Sequence, residues 1–422
     1  MFRIFIQCGL GLLLAASVAL SQTSPPGGGT TAITPGGGVA IGGPLPFGDA
    51  DIPRDNVEGN YVMQEVDHYD PIAIHGNILV SLNRPSGQIV AFTIQPFERI
   101  FSSPVGLGPN SVYEHPFRPW EFWITDTISN CVSVWSPFTL SITHSIQTEG
   151  APQALVFSAN GSRAYVTCSS GRSIDIIDTT TYQKINSMPI LARDPRGLER
   201  IGSKLYMTPL MSGNNTAALG SLTFTEIVSL PDFASIGINP LPDNDLLVYQ
   251  PSGPTLIPLN SEWVKALGTT LFNVHNRPGT GELWVTNTEA LNLFKGEPSF
   301  AGGKVVSNRI SIVDTTSAGI PTIIDLDAIA VGTGVSQPRG LAFDAARDRV
   351  YIACEGSDTV AAISSSGAWV GYWKIPTDAN IRAMPQALKI AGDTLIVLGV
   401  APLRRRCCRS SRESQFSTFV VS

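Results

Sequence analysis

Short apolar runs of five or six residues, each cut off by Gly, Asn, Ser or Asp, recur along most of this 422-residue chain. The stretch "RAYVTCSSGRSIDIIDTT" (163–180) shows the arrangement at its clearest. An apolar strand breaks at a Ser-Ser-Gly turn, a second run alternates apolar and polar residues, and the sequence stops at Asp-Thr-Thr. The close of that phrase returns in "RISIVDTT" (309–316). Alternation with period two predicts strands that pack one face, and no 3.6-residue periodicity persists long enough to predict a substantial helix.

Aligned on the most apolar strand of each unit, the runs start at Ile78, Phe122, Ala164, Leu205, Leu246, Leu283, Val350 and Leu395. The steps between them are 44, 42, 41, 41, 37, 67 and 45 residues, the one long step carrying about 25 extra. A period of 40–45 residues with several short strands per unit is the signature of an all-β fold, a β-propeller of four-stranded blades. Eight such strands predict eight blades, or seven if one middle unit is misread. A twisted sheet cannot cover its own faces. Sheets stacked around an axis bury one another, which requires each copy to repeat the same strand and turn chemistry.

The units share further grammar. A Pro followed by small and apolar residues comes first, as in "APQALVF", "DPRGLER", "QPRGLAFD" and "MPQALKI"; lacking an amide proton, Pro suits a strand start. Tight turns such as "HGN", "ANGS", "IGSK" and "AGD" then supply residues that tolerate positive φ. Asp178 and Asp314 close their strands, where a carboxylate accepts backbone amides in an Asx-turn.

The two ends differ from this body. "MFRIFIQCGLGLLLAASVALS" (1–21) pairs one basic residue with an apolar run and small residues, the pattern of a secretory signal peptide, a membrane anchor being the alternative. Residues 22–56, rich in Gly, Pro and Thr, read as a flexible linker, 57–402 as the propeller, and 403–422 as an atypical basic tail. That tail, with Cys407 and Cys408, reads as a truncation or frameshift product, a native basic tail, or the source of a late strand in "STFVVS". "NYVMQEV" (60–66) is a candidate to close the ring on the last blade.

Charged residues make up 15% of the chain and the net charge is −6, against about 25% charged in typical soluble proteins. With no basic stripe in the body, nucleic acid is not expected as a partner. After signal removal no stretch is apolar enough to span a membrane. No C-x-x-C occurs, which excludes a zinc knuckle, a thioredoxin-type site and covalent haem attachment within the chain. Cys131, Cys168 and Cys354 read as small core residues.

The stretch "RAYVTCSSGRSIDIIDTTTYQKI" (163–185) resembles the YVTN family of β-propeller repeats, as do "ELWVTNTEALNLF" with "NRISIVDTT" and "RVYIACEGSDTVAAI". The resemblance spans roughly residues 60–400 and is strongest at 150–185 and 275–365. It implies a bacterial secreted, periplasmic or cell-surface protein that binds another protein or a cell-envelope component, with no catalytic activity and no cofactor assigned. Some long members of that family are similar in the inserted unit and carry a cytochrome-like haem domain after the propeller. This implies an alternative, the propeller portion of a redox protein whose haem domain is absent from this chain. A lactonase-type hydrolase, with a central metal ringed by Glu, Asn and Asp, is a further alternative.

Candidate binding residues are few. Arg196 and Arg339, in twin Pro-Arg-Gly motifs, are expected near a central channel, either holding an anionic ligand or bonding carbonyls of the neighbouring blade. The insertion at 289–308 offers Glu289, Asn292, Lys295 and Glu297 on a long loop, the kind of segment that carries binding on a rigid scaffold. The aromatic cluster "HPFRPWEFW" (115–123) reads as blade packing or as a partner- or glycan-binding patch. The five histidines have no metal-ligand spacing and read as turn or rim residues, and there is no G-x-S-x-G elbow. Asn160-Gly161-Ser162 reads as a hairpin turn rather than a glycan acceptor.

Overall fold

A computed structural model describes residues 4–5, 68–212, 244–291, 306–317, 320–375, 382–400 and 416–421. The described residues form a β-propeller of seven four-stranded antiparallel units. The innermost strands are Ile72–His75, Pro109–Glu114, Pro152–Phe157, Arg193–Ile201, Thr270–Arg277, Pro338–Asp344 and Pro385–Ala391, defining blades 1 to 7. In blades 1 to 6 each is followed by three strands in sequence order; in blade 3 these are Arg163–Cys168, Ser173–Asp178 and Gln183–Pro189. Each innermost strand touches that of the next blade, and blade 1 meets blade 7, so the ring closes.

Eight blades are therefore not observed. The run at Leu246 is no second strand: Leu247–Ser252 pairs with Lys204–Met211 as the third strand of blade 4, in the register Leu205↔Tyr249. Residues 213–243 separate the two strands and by length alone imitate one repeat. A strand buried on both faces reads alike in the second or third place of a blade, so spacing could not separate them.

The core is divided. Seven apolar clusters lie one at each blade–blade interface. Between blades 3 and 4, Ile174 and Ile176 meet Leu205 and Met207. Between blades 7 and 1, Ile72 and Leu79 meet Ala387, Ile396 and Leu398. Each such side chain removed from water contributes about 1.5–3 kcal/mol. Cys168 and Cys354 are unpaired members of these clusters, and Cys131 is also buried.

Local chemistry follows the sequence grammar. Asp178 Oδ1 accepts the amides of Thr180 and Thr181 at 2.9 and 3.0 Å, and Asp314 Oδ1 accepts that of Thr316 at 2.8 Å. Gly202 and Gly392 turn their hairpins at φ 59° and 57°. Among the described residues the one α-helix is the single turn Leu326–Ile329, capped by the Asp325 carboxylate, and no helix is long and apolar enough to cross a membrane.

The termini meet on blade 7. Phe416–Val421 is its third strand, pairing with Thr394–Val400, and Ile4–Phe5 adds the fourth. Thus "STFVVS" supplies the late strand. Ile4–Phe5 falls within the stretch read as a signal peptide, so cleavage there would remove this outermost pair. Residues 60–66, 22–50 and 403–415 lie outside the described residues.

Ile176 spans the blade 3–4 interface with no exposure. Ile176→Ala should lower unfolding free energy by about 2–5 kcal/mol in a urea titration; a loss below about 0.5 kcal/mol would show that this interface is not the packed core described.

Candidate functional site

Aligning the innermost strands reveals two layers around the axis. Near the start of each strand, at equivalent positions, come Asn110, Gln153, Arg196, Phe272, Arg339 and Gln386; three residues further along come Tyr113, Val156, Glu199, His275, Ala342 and Lys389. In these six strands a register shift falls at the first-layer residue and lets both layers face the axis. The spacing residues are small because the strands crowd there. A Cβ on Gly340 would lie 2.7 Å from the Gln386 carbonyl oxygen.

The first layer is a buried polar network. Arg339 and Glu355 form an ion pair with both side chains at most 2% exposed, and the guanidinium lies 4.1 Å from the Phe272 ring centre. Gln386 donates to Glu355 at 2.9 Å, and its oxygen accepts from His68 Nδ1 at 3.2 Å. Asn110 Nδ2 donates to Gln153 Oε1 at 2.8 Å. Arg196 is fully buried and reaches the His68 carbonyl at 3.4 Å. Ion pairs removed from water persist when such partners compensate the desolvation.

Above this network, toward the turns that follow the innermost strands, lies a cavity of about 380 Å³. Its floor is the chain's own Tyr69 and Asp70, and Tyr113, Glu199, Arg200 and His275 are in its wall. Asp70 Oδ2 receives Lys389 Nζ at 3.0 Å. Burial raises the Asp70 pKa against the pull of that ammonium. Burial pushes the Glu199 carboxyl up to about 7; the charge of Asp70 adds to the shift, while the Asn276 amide and Lys389 oppose it. His275 is driven down to about 3, by burial first and then by Lys389, and so is neutral. Its Nε2 accepts the Leu341 amide at 3.2 Å, which places the ring proton on Nδ1. Tyr113 is held well above its ordinary value by burial and the surrounding carboxylates.

The cavity extends toward the aromatic loop at 115–123. Phe122 and Trp123 of that loop are fully buried in blade packing, whereas Phe117 is exposed. Trp120 stands at φ 69°, its amide donated to Glu114 Oε1 at 2.7 Å, with its ring against His75 and edge-on to the exposed Phe138. Glu114 also pairs with His75 Nδ1 at 2.7 Å.

Of the residues singled out from sequence, Arg196 and Arg339 share the first layer, below the cavity. Glu289 ends the second strand of blade 5, with a carboxylate oxygen 3.8 Å from Arg309 Nη1. Asn292, Lys295 and Glu297 lie outside the described residues. His68 and His275 face the axis and are not rim residues, while His75 and His144 are at the surface, the latter stacked on Tyr182 at 3.7 Å. Asp70, Glu199, His275 and Lys389 escaped the sequence reading. Their signal was positional: Glu199 and Lys389 each stand four residues after a strand-start Pro. Among the described residues, no group of three or more His, Cys, Asp and Glu gathers to hold a metal.

No family model matches the chain, and no curated protein does. Among solved structures, one titled Kuenenia stuttgartiensis hydrazine synthase is similar, with a TM-score of 0.62 and 16% identity over 83% of this chain and 99% of that chain. At that identity the likeness carries the fold alone.

Glu199 keeps its proton to about pH 7 in the folded protein, against an ordinary value of 4.5. The folded state therefore binds more protons than the unfolded chain between these values, and stability falls as pH rises through that window. Asp126, raised to about 7 by burial, adds a term of the same sign. Relative to wild type, Glu199→Gln should gain on the order of 1–2 kcal/mol between pH 4.5 and pH 8; urea titrations at both pH values check this, and parallel pH profiles would refute it.

Proposed function

We propose that this chain is an exported β-propeller of the YVTN kind that binds a ligand or partner at the bacterial cell surface or in the periplasm and carries no catalysis of its own. The observation that supports this best is the blind cavity at the channel mouth. Seven mutually packed sheets hold it rigid, a strand-like segment of the chain closes it beneath, and polar groups from several blades converge on it. Such a concave, preformed site with few polar anchors is the ordinary form of a small-ligand site. Two carboxylates, Asp70 and Glu199, stand near one ammonium, Lys389. Arg200 in the wall adds a second cation, donating to the carbonyls of Phe157 and Gly202, and Glu114 adds a third carboxylate. The site is thus one positive charge short of balance once Glu199 ionises, and it favours a ligand that brings an amine.

The lactonase alternative asks for a metal on the axis among Glu, Asn and Asp. In this chain Lys389 already supplies the positive charge beside Asp70, which favours binding of an organic cation over metal-dependent hydrolysis. The redox alternative rests on the likeness of the inserted unit at 289–308 to long family members that carry a haem domain. It is tested by reading the gene past the codon for Ser422 in all frames: a C-x-x-C-H motif there supports it, and its absence leaves the propeller without the haem domain it would serve.

Calorimetric titration with 1,4-diaminobutane at pH 8 tests the amine assignment directly. We expect saturable binding that weakens at least tenfold in Glu199→Gln and at pH 5.5, where Glu199 is protonated. Absence of binding at millimolar amine, or equal affinity of wild type and variant, would refute it. Binding to a cell-envelope fraction at moderate salt is the matching test of the partner, and failure to be retained there would count against a surface role.

A further inference from the structure

We propose that His68–Tyr69–Asp70 is a peptide ligand bound in cis, a pin laid across the channel, and that the channel beneath the cavity is a peptide site built to hold it. The three residues precede blade 1, yet they bond with blades on every side of the axis. Tyr69 N donates to Asn110 of blade 2, to the backbone oxygen at 3.3 Å and the side-chain oxygen at 3.2 Å. Asn273 of blade 5 donates Nδ2 to the Tyr69 carbonyl at 2.7 Å. Arg196 of blade 4 reaches the His68 carbonyl, and Gln386 of blade 7 accepts from the His68 ring. The Tyr69 hydroxyl donates to the Val274 carbonyl at 3.1 Å.

This is how a receptor reads an extended peptide. Side chains satisfy the backbone, and a pocket takes one large residue. Tyr69 is 3% exposed and belongs to the apolar cluster of blades 3 and 4. A Cβ on Gly197 would collide first with Thr208 Oγ1 and Val274 Cγ1 and would lie 3.3 Å from the Tyr69 hydroxyl, so the pocket edge tolerates no side chain there.

The ring has need of such a pin. Propellers exclude water only if the last blade holds the first. Here blade 7 receives its third strand from residues 416–421, after a stretch of sixteen positions from Val400, and its fourth strand is two residues long. A segment that bonds simultaneously to blades 2, 4, 5 and 7 closes the ring from within and needs nothing from the outermost strands.

Hydrogen–deuterium exchange on the full chain tests the pin, with Tyr69→Ala to empty the pocket and Tyr69→Phe to remove only the hydroxyl bond. In Tyr69→Ala, amide exchange should rise at least tenfold in the innermost strands of blades 4, 5 and 7, all more than a hundred residues away in sequence. That variant should also bind the heptapeptide VDHYDPI, residues 66–72, in a calorimetric titration, whereas the filled wild-type site should not. Should Tyr69→Ala fail to fold, Tyr69→Phe carries the test, with raised exchange expected in the innermost strand of blade 5. Exchange confined to blade 1, or equal peptide binding by wild type and variant, would overturn the pin. The amine site is read separately, in wild type and Glu199→Gln, where Tyr69 and the pin are intact, so failure of one proposal is distinguishable from failure of the other.

Discussion

Every part of this protein depends on the dry contact between one twisted sheet and the next. A four-stranded blade has two apolar faces and no means of covering either, so it exists only between neighbours. The seven interface clusters are therefore better regarded as one interaction repeated than as seven cores. The repetition explains the composition. Ile, Val and Leu fill the second and third strands, which are buried on both sides, while the outermost strands carry the exposed residues, as in Ser141–Gln147.

The same geometry creates the axis. Because innermost strands converge, their starts leave room for little beyond Gly, Ala, Ser and Asn at the tightest position, seen at Gly197, Gly340, Ala154 and Ser111. Side chains below that constriction are shut off from bulk water and must satisfy one another, whereas those above it stay partly exposed. Below it they form the Arg339–Glu355–Gln386–His68 network. Above it Asp70 and Glu199 border a cavity, with Lys389 bonded to Asp70, and burial is the first cause of the raised proton affinity of both carboxyls. A buried charge that is paired stabilises position; one that lacks a counter-charge is available to a ligand. The two layers differ in that respect, and the difference separates scaffold from site.

The arginines illustrate how burial decides a role. Their twin motifs drew attention because a guanidinium beside a channel suits an anion. Arg339 instead lies over Phe272 with its own carboxylate, Glu355, which stands on a short turn after the second strand of the same blade. No local pattern links positions 339 and 355 to position 386 or 68, since the bonds among them cross three chain segments far apart in sequence.

Strand length, hairpin turns, Asx-turns at Asp178 and Asp314 and the Pro at strand starts were determined by the sequence alone, because each is set by residues within about ten positions of one another, and the propeller class followed from their recurrence every 40–45 residues. The number of blades was not, since the strand at Leu246 looks the same locally whether it starts a new sheet or extends the last. Only the tertiary structure decided that Tyr69 belongs between distant blades, that Glu199 shares a chamber with Asp70 while Lys389 bonds to Asp70, and that Arg196 and Arg339 are interior. Closing the ring brings residues separated by up to some three hundred positions, such as Asp70 and Lys389, into hydrogen-bond distance. Contacts of that kind are a property of the closed circle and are written in no single repeat.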